Sequence, residues 1–427
     1  MYERKLLNQI LDEGNLNLAI KQVKRNKGSA GVDGMSVEQI QGYLALNKDD
    51  LLKSIRNRTY KPEPVLRVEI PKPNGGVRLL GIPTVKDRVI QQAIAQILTP
   101  LFDRQFSDYS YGFRPRRYAE MAIIKGLEYM NDGYEWIVDI DLERFFDTVN
   151  HDRLMNLVAR TVKDGDVISL IRKYLVSGVQ IDEAYKETII GTPQGGNLSP
   201  LLSNIMLHEL DIELENRGLR FVRYADDCII FAKSQMAANR IMRSITRFIE
   251  EKLGLIVNAD KSKVTNPSNR DFKFLGFGFY KDYYANQYKA KPHDKSVERF
   301  KYKLKQLTKR NWSVDTKYRV GRINQVIRGW VNYFKIGYMK KLLMNIDAHL
   351  RVRLRACIWT KWKTAKNRRK NLIKLGLKRN KAYEYSHSSK GATRVAYSWI
   401  LATTITNERL ARFGLVSGLE HYNQIHA

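Results

Sequence analysis

Short stretches in the first two thirds of the chain carry apolar residues in the pattern of β-strands. One is Trp136-Ile137-Val138-Asp139-Ile140-Asp141; another is Phe221-Val222-Arg223-Tyr224, followed across a turn by Cys228-Ile229-Ile230-Phe231. β-Branched and aromatic residues dominate these runs, as a pleated, half-buried surface favours. Ile70-Pro71-Lys72-Pro73-Asn74-Gly75-Gly76-Val77-Arg78 reads as two more strands around an Asn-Gly-Gly turn. Helical periodicity alternates with the strands, for example from about His151. Beyond Lys281 to Lys291 the strand signals largely vanish and amphipathic helices take over, with Leu350, Leu354, Ile358 and Trp362 at i, i+4 spacing. The pattern predicts an α+β fold with a boundary near Lys281 to Lys291. A densely basic stretch from Lys361 to Arg379 is expected to separate the helical region from a small C-terminal unit. No internal repeat is visible.

Composition adds a partner class. The chain has 427 residues, 43% hydrophobic, enough for two or three domains with real cores. It carries 74 Lys and Arg against 44 Asp and Glu, a net charge of +30. From Asn286 onward there are 33 basic and 7 acidic residues, so nearly all the excess is C-terminal. These cations are interleaved with Trp312, Trp330, Tyr333, Phe334, Trp359 and Trp362, which reads as a clamp for nucleic acid rather than a set of solvated helix faces. No stretch approaches the roughly 18 to 20 apolar residues of a membrane span, and no signal-peptide core follows Met1 to Lys5, so an intracellular protein without membrane partners is expected. Cys228 and Cys357 alone exclude a disulfide framework and a multi-cysteine zinc site. The seven histidines stand in no Cys-x-x-Cys or His-Glu-x-x-His setting.

The candidate chemistry lies in carboxylates. Tyr224-Ala225-Asp226-Asp227 places two adjacent acids at a hairpin turn, where they repel each other and face desolvation. A divalent cation resolves that conflict; the plainer alternative is a hydrophilic turn. Asp139 and Asp141, alternating with Ile140, put a second pair of acids on one face of another apolar strand. Lys72 and Arg78 stand near each other across the Asn-Gly-Gly hairpin, suited to grip a triphosphate. Gly191-Thr192-Pro193-Gln194-Gly195-Gly196 is a glycine-rich turn entering a helix.

An Asp followed five residues later by an aromatic, Asp141 and Phe146, and far downstream by Tyr-Ala-Asp-Asp, resembles the palm of a reverse transcriptase. The resemblance implies a right-hand polymerase, fingers and palm, followed by an α-helical thumb and a small basic C-terminal domain. It implies that Asp141, Asp226 and Asp227 hold two Mg²⁺ ions, with Mn²⁺ a possible substitute, for in-line nucleotidyl transfer. Asp139 is kept as a supporting acid. Phe146 would stack under the sugar of the incoming dNTP and exclude a 2′-hydroxyl. Lys72, Arg78 and Gln194 would contact the nucleotide, and Lys261, with Lys263 equally eligible, would lie near the departing pyrophosphate. Tyr224, Ala225, Arg114, Leu275 and Gly276 would meet primer and template, the last two within Phe274-Leu275-Gly276-Phe277.

Three further blocks narrow the resemblance to reverse transcriptases encoded by group II introns: Asn26-Lys27-Gly28-Ser29-Ala30-Gly31-Val32-Asp33-Gly34, Ser110-Tyr111-Gly112-Phe113-Arg114-Pro115, and Arg328-Gly329-Trp330-Val331-Asn332-Tyr333-Phe334. Lys27, Trp330 and Tyr333 would then bind RNA. The expected division is 1–40 as an N-terminal RNA-binding extension, 41–285 as fingers and palm, 286–365 as thumb or maturase domain, and 366–427 as a basic DNA-binding domain. The implied function is an RNA-directed DNA polymerase that is also a maturase. Its implied partners are group II intron RNA, an RNA template with a DNA primer, target DNA and dNTPs, in a bacterial cytoplasm and at the nucleoid when on its target. The alternatives are a non-enzymatic RNA-binding splicing factor with a vestigial polymerase fold, or a retron-like enzyme. After Asn380 only His387, His421 and His426 are available, so the His and Cys nuclease cage of some family members is not expected and the primer would come from elsewhere, such as a nascent strand at a replication fork.

Overall fold

The computed structural model describes residues 5–71, 77–181, 184–186, 191 and 195–427. Its contacts divide the chain into two units, Met1–Asn266 and Pro267–Ala427.

In the first unit, helices Lys5–Ile10, Glu13–Asn26 and Ile40–Arg56 precede the sheets. Asp12 caps the second helix by accepting from the N–H groups of Gly14 and Asn15, donors that a helix start leaves open. Leu16, Ala19 and Val23 are buried on its inner face, which packs on helix Val85–Asp103. The loop Asn26–Gly34 lies on the start of that same helix. Arg88 Nη2 donates to the Ser29 carbonyl at 2.5 Å, and a Cβ on Gly31 would stand 2.7 Å from both Cα and N of Thr84. Within the first 40 residues, Leu7, Ile10 and Leu16 share one apolar core with Ile90 and Ile94.

Strands β1 (Val65–Pro71) and β2 (Val77–Ile82) pair antiparallel with Ile70 opposite Arg78, as the hairpin reading expects; its turn lies outside the described residues. A second sheet carries the acids. Strand β3 (Trp136–Ile140) lies at its centre. Strands β4 (Val179–Ile181) and β5 (Ala184–Lys186) extend the first sheet to the order β2-β1-β4-β5. Strands β6 (Arg220–Tyr224), β7 (Asp227–Ala232) and β8 (Lys263–Thr265) complete the second, antiparallel throughout, in the order β6-β7-β3-β8. Phe221, Ile230, Val138 and Ile140 belong to the main core together with helix Ser199–Asn216. Register then fixes the acids: Asp139 lies between Ile229 and Lys263, and Tyr224 pairs with Asp227, so Ala225 and Asp226 are the whole loop.

In the second unit, β9 (Phe277–Asp282) and β10 (Gln287–Pro292) pair with each other and lead into helices Asp294–Leu307, Thr316–Phe334 and Lys340–Lys361. The division at Asn266 falls before this hairpin, whereas the expected boundary, near Lys281 to Lys291, falls within it. The turn into β9 is bonded to the start of the first of these helices: the N–H of His293 donates to the Gly276 carbonyl at 3.0 Å and Ser296 Oγ to the same carbonyl at 2.8 Å. Residues beyond 366 have their own small core of Leu372, Ala382, Ile400 and Leu401, but Ala356 and Trp359 of the long helix complete it. Asp347 on that helix also caps the last one, accepting from Gly418 N and Leu419 N at 3.0 Å and from Ser417 Oγ at 2.8 Å.

Because Gly31 rests on backbone that cannot move aside, Gly31→Ala should lower stability by about 1–3 kcal/mol. Urea unfolding of variant and parent checks this; an unchanged midpoint would mean that the loop is not pinned there.

Candidate active site

A buried ion pair organises the acid hairpin. Arg223 and Asp211 are both fully buried and meet as a two-pronged pair, Nε to Oδ1 at 2.7 Å and Nη2 to Oδ2 at 2.5 Å. The remaining nitrogen, Nη1, donates to Asn204 Oδ1 at 3.0 Å and to the carbonyl of Ala225 at 2.9 Å. Burial opposes the charge on Arg223, and Asp211 outweighs it, leaving the guanidinium above its ordinary pKa. Asn204 in turn donates from Nδ2 to the Gly112 carbonyl at 2.8 Å. Tyr111 N–H donates to the Arg223 carbonyl at 2.8 Å, and Arg223 N–H to the Tyr109 carbonyl at 2.9 Å. The Ser110-Tyr111-Gly112 segment thus runs alongside β6, so close that a Cβ on Gly112 would lie 2.1 Å from Ala225 N. Ala225 itself has φ +58°, a left-handed conformation that costs a non-glycine residue about 1–2 kcal/mol.

This scaffold sets Asp226 within electrostatic reach of Asp141. Burial, the largest cause, and the Asp141 carboxylate push the Asp226 pKa up, while a backbone hydrogen bond, Arg78 and Arg223 oppose them. Asp141 is framed from the other side by the segment before β8. Its N–H donates to Ser262 Oγ at 3.0 Å, its carbonyl accepts from Asn258 N at 2.8 Å, and Lys261 Nζ lies 3.2 Å from Oδ2. Lys261, expected near pyrophosphate, is therefore paired with Asp141 and contributes about 1 kcal/mol or less at that exposed position. Asp227 is exposed at the start of β7, and Asp139 lies two residues before Asp141, inside the sheet. Among the described residues no three His, Cys, Asp or Glu side chains are gathered as a finished metal cage. The donors nevertheless suit a hard cation: they are carboxylate oxygens, two of them held in mutual repulsion that positive charge relieves.

The other expected residues divide. Phe146 is half-buried and meets buried Phe145 edge to face, with centroids 5.2 Å apart. Gly191 lies behind it, where a Cβ would come within 2.9 Å of the Phe146 carbonyl. Arg78 is exposed on β2, and its charge is felt at Asp226. Tyr224 is half-buried at the end of β6, and Lys27 is exposed at the end of its helix. Lys72 and Gln194 lie outside the described residues. Arg114, expected against primer or template, is buried instead, bound to Asp103 Oδ1 at 2.7 Å and to the carbonyls of Ser107 and Ser110. Its guanidinium satisfies loop carbonyls that would otherwise be stranded. In the second unit, Leu275 and Gly276 form a two-residue turn with φ +50° and +83°, and Tyr333 donates its hydroxyl to the Leu275 carbonyl at 2.9 Å. Trp330 stacks on Phe300 at 4.4 Å, nearly parallel, so one face of its ring is used in packing.

Arg223, Asp211, Asn204 and Gly112 carry roles that the sequence reading did not assign. The available signal was a charge inside the apolar run Phe221-Val222-Arg223-Tyr224, which demands a buried partner.

Comparison with known proteins places this geometry in a family. A model described as "Reverse transcriptase (RNA-dependent DNA polymerase)" matches residues 70–279, and one described as "Group II intron, maturase-specific domain" matches 297–376. The chain is similar to protein YkfC of Escherichia coli strain K12, 34% identical over 284 residues, 58% of this chain and 74% of that one. It is similar to the group II intron-encoded protein LtrA of Lactococcus lactis subsp. cremoris, 31% identical over 325 residues, 61% of this chain and 54% of that one. It also resembles the putative COX1/OXI3 intron 2 protein of Saccharomyces cerevisiae, 32% identical over 333 residues, 64% of this chain and 38% of that one. The fold is that of a reverse transcriptase, whose enzyme class is RNA-directed DNA polymerase. More particularly, the chain belongs to the reverse transcriptase/maturase family of group II introns. It spans about half the length of LtrA and under two fifths of the yeast protein.

Removing one member of the fully buried pair leaves the other charge uncompensated, so Asp211→Ala should cost about 3–5 kcal/mol in urea unfolding; a loss below 1 kcal/mol would mean that the pair is dispensable. Asp226, with its pKa raised on folding, binds its proton more tightly in the folded state. Stability from this group is therefore greatest below the ordinary carboxylate pKa of about 3.9 and falls as pH rises through the folded value. Asp226→Asn should accordingly melt higher than the parent at neutral pH in metal-free buffer, with the gap closing toward acid. A variant that melts lower at pH 7 would contradict this.

Proposed function

We propose that this chain copies group II intron RNA into DNA during retrotransposition, and also binds that RNA as a maturase to assist splicing. The observation that carries the reading is the apposition of Asp141 with the Ala225-Asp226 turn, in a palm matched by the reverse transcriptase family. Asp141, Asp226 and Asp227 would hold two Mg²⁺ ions. Held by these acids, such ions would supply acidity at the primer 3′-hydroxyl and positive charge at the triphosphate for an in-line displacement. Arg78, exposed on β2 and within electrostatic reach of Asp226, would meet the triphosphate together with Lys72. Gln194 would contact the incoming nucleotide, and Phe146, backed by Phe145 and Gly191, would close the space a 2′-hydroxyl needs. Lys261 would leave Asp141 as the nucleotide enters and stand near the departing pyrophosphate.

Exposed Lys27 and the cationic second unit would hold RNA through its backbone, with Tyr333 offering a stacking surface and the residues beyond 366 meeting target DNA. Among the described residues no helix is long and apolar enough to cross a membrane. The proposed place of work is the cytoplasm, and the nucleoid when the protein is on its target DNA.

Asp226→Asn combined with Asp227→Asn should abolish primer extension on an RNA template while leaving RNA affinity intact or slightly raised; extension near the parent rate would remove these acids from the chemistry. Phe146→Ala should admit ribonucleotides, read as the ratio of NTP to dNTP incorporation. An unchanged ratio would return Phe146 to packing.

A further inference from the structure

Helices Asp294–Leu307 and Lys340–Lys361 enclose between them a pocket of about 440 Å³. Its floor is apolar: Leu304 is 4% and Leu350 2% exposed. Its walls are aromatic and cationic. Tyr302, 62% exposed, stands on the first helix, and His349, also exposed, on the second. Lys301, Lys305 and Arg353 also line the pocket, beside Asn345 and Ile346, and no Asp or Glu does. The spacing explains the convergence. Residues 301, 302 and 305 fall on one helical face, as do 346, 349, 350 and 353 on the other helix.

Arg353 is held in place by the end of the first helix, donating from Nε to Thr308 Oγ1 at 2.6 Å and from Nη2 to the Lys305 carbonyl at 3.2 Å. It cannot collapse into the pocket. Burial, then Arg353 and Lys301, keep the His349 pKa below its ordinary value, so at neutral pH the imidazole is uncharged and offers one donor and one acceptor.

We propose that this pocket takes a single unpaired nucleotide of RNA, extruded from a helix, with its base between Tyr302 and His349 over the Leu304 and Leu350 floor and its flanking phosphates on Lys301 and Lys305. The volume lies within the range of small-molecule sites. Exposed aromatics beside cations are the means by which proteins stack unpaired bases, and a cationic rim without acids disfavours a basic peptide. The inference rests on the proposed binding of RNA by the second unit and narrows it to one feature of the RNA.

The test uses the full-length protein and two short stem RNAs, identical except that one carries a single bulged 2-aminopurine. Affinity and fluorescence are measured at one salt concentration, because phosphate contacts dominate and vary with salt. The parent should bind the bulged stem on the order of tenfold more tightly than the paired stem, and should quench the bulged base. Tyr302→Ala combined with His349→Ala should abolish both effects without changing affinity for the paired stem, whereas Tyr302→Phe should keep them. Equal affinity of the parent for the two stems, or a preference that survives loss of both rings, overturns the pocket assignment. Loss of binding to the paired stem as well would contradict the RNA-binding reading itself in the parent, and in the double variant alone would show that the rings act as general scaffold rather than as a base site. Both variants alter exposed positions, and an unchanged melting temperature confirms that they fold.

Discussion

A guanidinium and a carboxylate with no access to water, Arg223 and Asp211, hold the acid turn in shape. Such a pair stabilises little on balance, because desolvation consumes most of the attraction, but neither member can be lost alone. Its value here is geometric. Two nitrogens of Arg223 are spent on Asp211, which fixes the plane of the guanidinium, and the third then reaches Asn204 and the Ala225 carbonyl. Through Asn204 the same network holds the Gly112 carbonyl, and Gly112 lies against the turn with no room for a side chain. Ala225 can stay in a left-handed conformation because its surroundings leave it no alternative.

The consequence is electrostatic. A relaxed turn would let Asp226 swing away from Asp141 into water. Held as it is, Asp226 is partly desolvated, repelled by Asp141, and pushed to a higher pKa. Arg78 and Lys261 supply some of the missing positive charge, one at Asp226 and the other at Asp141. Acids kept close against their own repulsion are typical of sites built for a ligand of opposite charge, and the stability forgone is the usual cost of a functional site.

Much of this was legible in the sequence. The strands around Asp139 to Asp141 and around Tyr224 to Asp227 follow from β-branched and aromatic runs, and the family resemblance rests on the spacing of Asp141, Phe146 and the paired acids. What could not be read was tertiary. Arg114 and Arg223 are both arginines in quoted motifs, yet each is buried against a carboxylate, 11 positions away for one and 12 for the other. Spacing alone does not separate such an arginine from one that meets nucleic acid. The expected boundary near Lys281 to Lys291 cut through the hairpin Phe277–Pro292 because strand propensity is local, whereas the grouping of both its strands with later helices comes from the Gly276 carbonyl, His293 and Ser296. Lys261 and Lys263 were equally eligible in sequence; only the fold shows that Lys261 reaches Asp141 while Lys263 pairs in register with Asp139.

The most direct test of this account is the single-turnover rate of primer extension in Arg223→Lys at saturating template, primer and dNTP, with Mg²⁺ titrated. Lysine keeps the charge but cannot hold Asp211, Asn204 and the Ala225 carbonyl together. If the buried pair sets the position of Asp226, the chemical step should slow by roughly a hundredfold, as a displacement of about 1 Å would cause, and half-saturation should move to higher Mg²⁺ while RNA affinity stays the same. A parental rate and Mg²⁺ dependence in a folded Arg223→Lys protein would contradict it.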